Sequence, residues 1–224
     1  MKRPPPGARM PSIEFVTRFA PLRPLEGCNS ILAHQAEDLF ALWEAWESEA
    51  GTECATPFWA IAWPAAVVLA RHILKQKHLV AGKMVLDLGC GGGIVGIAAA
   101  HAGASRVIAN DIDPAALEIA QRNFAANEVS IETCPLNLVE EHDYRGADIV
   151  FVADLFYHRT ASAALVAYLR QARKNGITVL IADGNRPFTP ATGITVVMQE
   201  TVPVSMEIEG VPHRVVRLLA LAEE

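Results

Sequence analysis

Strand-length apolar runs alternate with amphipathic, helix-length stretches from Met84 to Leu221, which predicts an α/β fold: a mostly parallel sheet with helices on both faces. Two further observations point the same way. A glycine-rich turn, D-L-G-C-G-G-G at Asp87–Gly93, directly follows the first strand run and opens a helix. Asp87, Asp111, Cys134 and Asp154 fall at the ends of successive strand runs, where open α/β sheets bind their ligands.

Each element has its own signal. From His34 to Glu49, Leu39, Leu42, Trp43 and Trp46 recur at helical spacing. With Trp59 and Trp63 they suggest an N-terminal helical cap over the ligand site. Pro64 suits the first turn of a helix to Lys77, with Ala65, Val68, Leu69, His72 and Ile73 on its inner face. Met84–Leu88 is the first strand of the sheet and Gly93–Ala102 its helix; Arg106–Asn110 is the second strand. Asp113-Pro114 supplies an N-cap and a first-turn proline for a helix to Asn127. Val129–Thr133 and Ala147–Ala153 are the third and fourth strands. A helix follows with Leu165, Tyr168, Leu169 and Ala172 inward, stopping near Asn175-Gly176. Ile177–Ala182 is the fifth strand, and Ile194–Gln199 and Arg214–Leu221 form two more, paired antiparallel, so the expected sheet has seven strands.

The composition narrows the function. At 224 residues, 51% hydrophobic and 20% charged, the chain has material for a substantial core. Residues 1–56 read as an arm and helical cap, and residues 57–224 as the ligand-binding domain. The net charge of −6 and the lack of a dense basic run argue against a broad nucleic-acid groove. Cys28, Cys54, Cys90 and Cys134 are scattered, so neither a zinc site nor disulfides are expected. No apolar run is long enough to span a membrane. The first 25 residues carry Lys2, Arg3, Arg9, Arg18 and Arg23 against Glu14, with prolines at 4, 5, 6, 11, 21 and 24. They read as a loose arm, since prolines spoil the amphipathic helix of a transit peptide. Met10 offers an alternative start. A bacterial cytoplasmic monomer is expected, with the mitochondrial matrix as the alternative in a eukaryote.

Gly91, Gly93 and Gly96 satisfy G-x-G-x-x-G, with Asp111 about twenty residues on, as a dinucleotide fold requires. The longer pattern Asp87-x-Gly89-x-Gly91-x-Gly93 adds an acid at the strand end. A carboxylate there suits a cationic, phosphate-free nucleoside such as S-adenosylmethionine better than a pyrophosphate. The pattern resembles motif I of the seven-stranded, Rossmann-like methyltransferases. On that reading Asp87 orients the ligand's ammonium group, Gly89, Gly91 and Gly93 bring backbone amides close, and Asp111 binds the ribose hydroxyls while Asp113 caps the helix. The segment Cys134-Pro135-Leu136-Asn137 faces the adenine edge, with Cys134 and Asn137 as candidates. An asparagine in this loop is equally suited to satisfying its own turn.

The fourth strand ends in Asp154-Leu155-Phe156-Tyr157. Nucleic-acid amino-methyltransferases carry D/N-P-P-Y/F here, and the prolines are absent. An acid and an aromatic three residues apart suit an aliphatic amine, aimed by the carboxylate and walled by the ring. In order, P-F-W-A-I-A-W-P at Pro57–Pro64, the glycine turn, A-N-D-I-D-P at Ala109–Pro114, D-L-F-Y at Asp154–Tyr157 and D-G-N-R-P at Asp183–Pro187 resemble one family. It is the protein lysine methyltransferase family that includes the electron-transfer-flavoprotein β-subunit lysine methyltransferase. The resemblance covers Pro57 to Pro187, making residues 57–224 the methyltransferase domain. It implies Asp154 and Tyr157 as catalytic candidates, Trp63 and Asp154 near the cofactor, and a protein acceptor, the electron transfer flavoprotein β subunit. The chain departs from the family in its late D-G-N-R-P motif and at Cys134, which leaves the substrate open. N-methylation of a small heteroaromatic amine such as nicotinamide is the alternative; a nucleic-acid methyltransferase and a non-catalytic cofactor-binding protein rank lower. The arm and the Trp43/Trp46 helix are the expected docking elements for a protein substrate.

One obstacle is chemical. A free lysine with a pKa of about 10.4 costs roughly 4–5 kcal/mol to present as the neutral amine at pH 7. A lone carboxylate at Asp154 raises that cost, because it favours the ammonium. Asp154 is therefore expected to capture and aim the ammonium, with burial and the sulfonium charge favouring proton loss.

Overall fold

The computed structural model describes residues 10–222; Lys2, Arg3 and Arg9 of the expected arm lie outside them. The elements run α1 (Ile13–Phe19), β1 (Leu22–Leu25), β2 (Cys28–His34), α2 (Leu39–Ala50), α3 (Pro64–Lys75), β3 (Met84–Leu88) and α4 (Ile94–His101). They continue with β4 (Arg106–Asn110), α5 (Pro114–Ala126), β5 (Glu132–Cys134), α6 (Leu138–Glu141), β6 (Ile149–Ala153) and α7 (Arg159–Lys174). The chain closes with β7 (Thr178–Asp183), β8 (Ile194–Pro203), α8 (Met206–Glu209) and β9 (His213–Leu221).

Seven strands form the main sheet in the order β5-β4-β3-β6-β7-β9-β8. β5 to β7 are parallel to one another, and β9 runs antiparallel to both β7 and β8. The expected Rossmann-like topology with an antiparallel last strand is therefore present. Strand periodicity divides the core between the two faces. Val85, Ile149, Phe151 and Leu180 join one apolar cluster, while Leu86, Val150, Val152 and Ile181 join the other. Fully burying one such side chain contributes roughly 1.5–3 kcal/mol. The strand order reverses beside β3, so the carboxyl ends of β3, β4 and β6 flank one crevice.

The N-terminal region departs most from expectation. In place of a loose arm, Ser12 caps α1 by accepting from Phe15 N, and Phe15 and Val16 are buried. β1 and β2 form an antiparallel hairpin turning at Glu26-Gly27, where Gly27 has φ +75°. Pro21 and Pro24 hid this strand, yet Pro24 is tolerated because a two-stranded ribbon leaves edge positions unpaired. The predicted helix from His34 starts at Leu39 instead, because His34 closes β2 and Asp38 is the N-cap. The hairpin's Leu25, Ile31 and Ala33 share a cluster with Val85 and Phe151 of the sheet. Trp46 is buried edge-on against Trp59, with ring centroids 6.1 Å apart, and Trp43 Nε1 donates to Cys54 O. Trp46 is thus committed to packing α2 against the Trp59 segment rather than to an exposed docking face. β5 is also shorter and later than predicted. Glu128 takes φ +56° and Val129 N still bonds Phe124 O, so the ladder with β4 begins only at Glu132.

Candidate active site

Burial alternation explains how the first acid is placed. Asp87 shares the face of Val85 on β3, turned toward α4, and its Oδ2 accepts from Gly96 N at 2.9 Å. Burial pushes its carboxyl up to about 7, and the Asp111 charge adds to this. At the end of β4, Asp111 Oδ2 accepts from Gly91 N at 2.9 Å and Oδ1 from Asp113 N at 3.0 Å. Burial raises Asp111 to about 6. Neither acid forms an ion pair among the described residues. Asp113 caps α5 through Ala115 N, as its position before Pro114 predicts.

The glycines divide the labour of the turn. A Cβ on Gly89 would stand 2.5 Å from Leu155 Cδ1, and one on Gly93 would strike the Phe124 ring. One on Gly91, at φ +51°, would meet nothing within 4 Å. Gly89 and Gly93 thus permit close packing, whereas Gly91 leaves open space beside Asp111. Asn123, fully buried on α5, donates to Gly92 O at 2.8 Å and accepts from His34 N at 2.9 Å, tying the turn to the hairpin. Sequence reasoning missed this clamp; the available signal was an asparagine on the inner stripe of an amphipathic helix.

A cleft of about 160 Å³ opens at these strand ends, bounded by Gly89, Asp111, Asn137, Leu155 and Tyr157. It shares Ile112, Tyr157 and His158 with a neighbouring hollow of about 680 Å³ that Thr56 and Phe58 also line. Asn137 sits at the cleft while capping α6 by a long 3.4 Å bond from Glu140 N. Cys134 does not reach it. As the last residue of β5, its side chain turns into the core beside Leu86 and Ile108, because the strand ends one residue later than predicted. Its carbonyl instead accepts from Asp111 N and Asn110 Nδ2, which steadies the end of β4.

Tyr157 borders both hollows, and burial pushes its hydroxyl up to about 12, with the Asp111 charge adding to the effect. Its ring lies 5.9 Å from Phe58, which lies 5.8 Å from Trp63. Trp63 stands behind this row, donating to Phe58 O and carrying the Arg186 guanidinium 5.3 Å over its ring. It lines neither hollow.

Asp154 follows β6 in the left-handed region, at φ +55°, and is buried. Its Oδ1 accepts from Gly184 N and from Arg186 Nε, both at 2.9 Å. Arg186 in turn grips Glu209 of α8 with two bonds of 3.0 and 2.9 Å, and Arg214 also donates to Glu209. Burial opposes the charge on Arg186, but its bonds to Glu209 and Asp154 more than offset this and hold it protonated. Asp154 Oδ2 is buried and has no partner, and Asp154, like Trp63, lines neither hollow. The D-G-N-R-P motif was visible in the sequence, but its ion pair with Asp154 was not.

A sequence profile described as "Lysine methyltransferase" matches residues 42–192, which is more than half of the chain. The chain belongs to this family. Lysine methyltransferase relatives include the electron transfer flavoprotein beta subunit lysine methyltransferase of Danio rerio, 38% identical over 131 residues that cover 58% of this chain and 51% of that protein. The Homo sapiens protein of the same name is 37% identical over 132 residues, covering 58% of this chain and 50% of its own length. The chain thus spans about half the length of the curated relatives it matches. A Pyrococcus horikoshii structure described as a candidate RNA methyltransferase superposes with a TM-score of 0.56 at 18% identity, covering 75% of this chain and 90% of that one. This second likeness establishes the fold alone. The matched segment holds the glycine turn, Asp154, Tyr157 and Arg186, whereas Glu209 and Arg214 lie beyond it. Among the described residues no group of His, Cys, Asp or Glu is arranged to hold a metal ion, and no helix is long and apolar enough to cross a membrane.

Proposed function

We propose that the protein transfers methyl groups from S-adenosylmethionine to the ε-amino group of a lysine in a protein substrate, the electron transfer flavoprotein β subunit. The carrying observation is that Leu155 packs directly on Gly89. The glycine turn and the Asp154–Tyr157 segment therefore form one wall, which puts a donor site and an acceptor site side by side. The residues fit the methyl donor. Asp111 lines the cleft, and with Asp87 it supplies buried carboxylates lacking a cation, suited to ribose hydroxyls and to an ammonium group. Open space at Gly91 admits the ligand's backbone-facing side. Asn137, which lines the cleft, is the candidate for the adenine edge.

The bound sulfonium supplies an activated methyl group. The chain's task is to place a neutral amine in line with it and to exclude water. The nitrogen lone pair forms the N–C bond, the C–S electron pair leaves with sulfur, and the methylated ammonium yields its proton to water. Phe58 and Tyr157 wall the approach of an aliphatic side chain, and Asp154 aims its nitrogen.

The test is transfer of radiolabelled methyl from S-adenosylmethionine, with purified electron transfer flavoprotein and nicotinamide as parallel acceptors, read by intact mass. Label on the β subunit in steps of one methyl supports the reading; label on nicotinamide alone overturns it. Asp154→Asn should abolish transfer while leaving S-adenosylhomocysteine binding intact. Undiminished turnover in that variant would remove Asp154 from the mechanism.

A further inference from the structure

We infer that Arg186 is a positioning residue that neutralises the Asp154 carboxylate, so that the acceptor lysine is received on Asp154 Oδ2 as the uncharged amine. This rests on the reading of Asp154 as the group that meets the acceptor nitrogen.

The geometry assigns the two oxygens of Asp154 different duties. Oδ1 is saturated by Gly184 N and Arg186 Nε. Oδ2 is buried and unpartnered, a costly state unless a donor arrives to complete it. A neutral amine can donate one N–H to Oδ2 and keep its lone pair for the methyl carbon. An ammonium has no lone pair to offer.

The charge balance favours the neutral form. Asp154, Arg186, Glu209 and Arg214 make a chain of two buried acids and two half-buried arginines whose charges cancel. Asp183, fully buried behind it, is matched by Arg217 at 2.9 Å. On the cleft side stand Tyr157 and His158, after β6, Asp111 at the end of β4, Asp113 at the cap of α5 and Glu140 of α6. An arriving amine thus meets no excess negative charge from the chain that holds Asp154. Without Arg186, Asp154 and Glu209 would outweigh Arg214 and trap the substrate as the ammonium. Arg186 is poorly placed to swing away, because Nε and both terminal nitrogens are bonded and its plane lies over Trp63. The ion-pair chain passes through α8, so Glu209, outside the family-matched segment, sets the position and effective charge of Arg186.

The experiment measures kcat/KM against pH for the full-length enzyme, with saturating S-adenosylmethionine and the purified electron transfer flavoprotein β subunit as acceptor. The wild type should show a rising limb for loss of the lysine proton. Arg186→Gln should move that limb up by about one pH unit, with the rate recovering at high pH. Arg186→Lys should restore it. Glu209→Gln, which leaves Arg186 unbalanced, should move the limb in the opposite direction. A second readout is calorimetry of the β subunit binding to the enzyme loaded with S-adenosylhomocysteine, in buffers of different ionisation enthalpy. Wild type should release about one proton at neutral pH, and Arg186→Gln clearly less. A limb that stays put in both variants while rates fall equally at every pH would show Arg186 to be merely structural and overturn the inference. Opposite movement of either variant would do the same. If Arg186→Gln fails to fold, the Glu209→Gln limb and the wild-type proton release still decide. Full activity of Asp154→Asn would instead overturn the underlying reading, whatever the limbs show.

Discussion

Two glycines two positions apart, Gly91 and Gly93, should fail in different ways when each gains a methyl group. Gly93 has φ +77°, and a Cβ there would stand 2.8 Å from Phe124 Cζ and 3.2 Å from Ala120 Cβ. Phe124 is itself buried among Ile97, Val107 and Ile31, so its ring has little room to yield. Left-handed strain costs an alanine about 1–2 kcal/mol, and overpacking a filled core costs about 1–3 kcal/mol. Gly93→Ala should therefore lose about 2–5 kcal/mol, which for a domain of this size lowers Tm by about 4–20 °C. Gly91→Ala has a φ of +51° but meets nothing within 4 Å. Only the backbone strain applies, and Tm should fall by about 2–8 °C. Its methyl group, however, occupies the open space beside Asp111. S-adenosylmethionine binding should weaken at least tenfold, which is a loss of about 1.4 kcal/mol. Thermal unfolding without ligand and titration calorimetry with S-adenosylmethionine separate the two effects. If Gly91→Ala proves the less stable variant, or binds cofactor as well as wild type, the assignment of packing to Gly93 and ligand space to Gly91 is wrong.

Other outcomes follow from the same site. Asp87 and Asp111 are raised to about 7 and about 6 from an ordinary 3.8. The folded state therefore holds protons that the unfolded chain has lost, and their contribution to the ligand-free protein's stability declines as pH rises from about 4 to about 7. A cationic ligand favours the ionised carboxylates, so S-adenosylmethionine affinity should increase from pH 5.5 to 7.5 with proton release; a flat profile by calorimetry would contradict the assignment. Asn123→Ala leaves Gly92 O and His34 N without their buried partner, and should cost about 2–4 kcal/mol in chemical denaturation while weakening cofactor binding; a change within about 0.5 kcal/mol would mean the clamp is dispensable. Tyr157→Phe should retain most activity, since the ring rather than the hydroxyl walls the acceptor, whereas Tyr157→Ala should raise KM for the protein acceptor about tenfold or more; equal losses in both variants would give the hydroxyl a chemical role.

What could be read from the sequence was local. Met84–Leu88 and Arg106–Asn110 are strands at the predicted boundaries, because buried parallel strands are largely apolar runs and each has an acid within one residue of its last position. The turn chemistry of Asp113-Pro114 told its own outcome for the same reason. The hairpin did not declare itself, since its alternation is masked by Pro24 and its turn is only Glu26-Gly27. Cys134 was misplaced by a single residue of strand, which suffices to turn a side chain from the cleft into the core.

The candidate site divides along the same line. Asp154 is recognisable as an acid three residues before an aromatic, but its electrostatic character depends on Arg186, 32 positions away, and on Glu209, a further 23 beyond that. Neither partner has a spacing that announces it. The difficulty raised by a lone carboxylate, which stabilises the wrong protonation state of lysine, arose from reading the motif without its partner. On the reading proposed above, a guanidinium on one oxygen and a buried, unpartnered second oxygen would let the acid direct a nitrogen without holding its proton. A motif names the atom that meets the substrate, and the tertiary contacts of that atom set which form of the substrate it accepts.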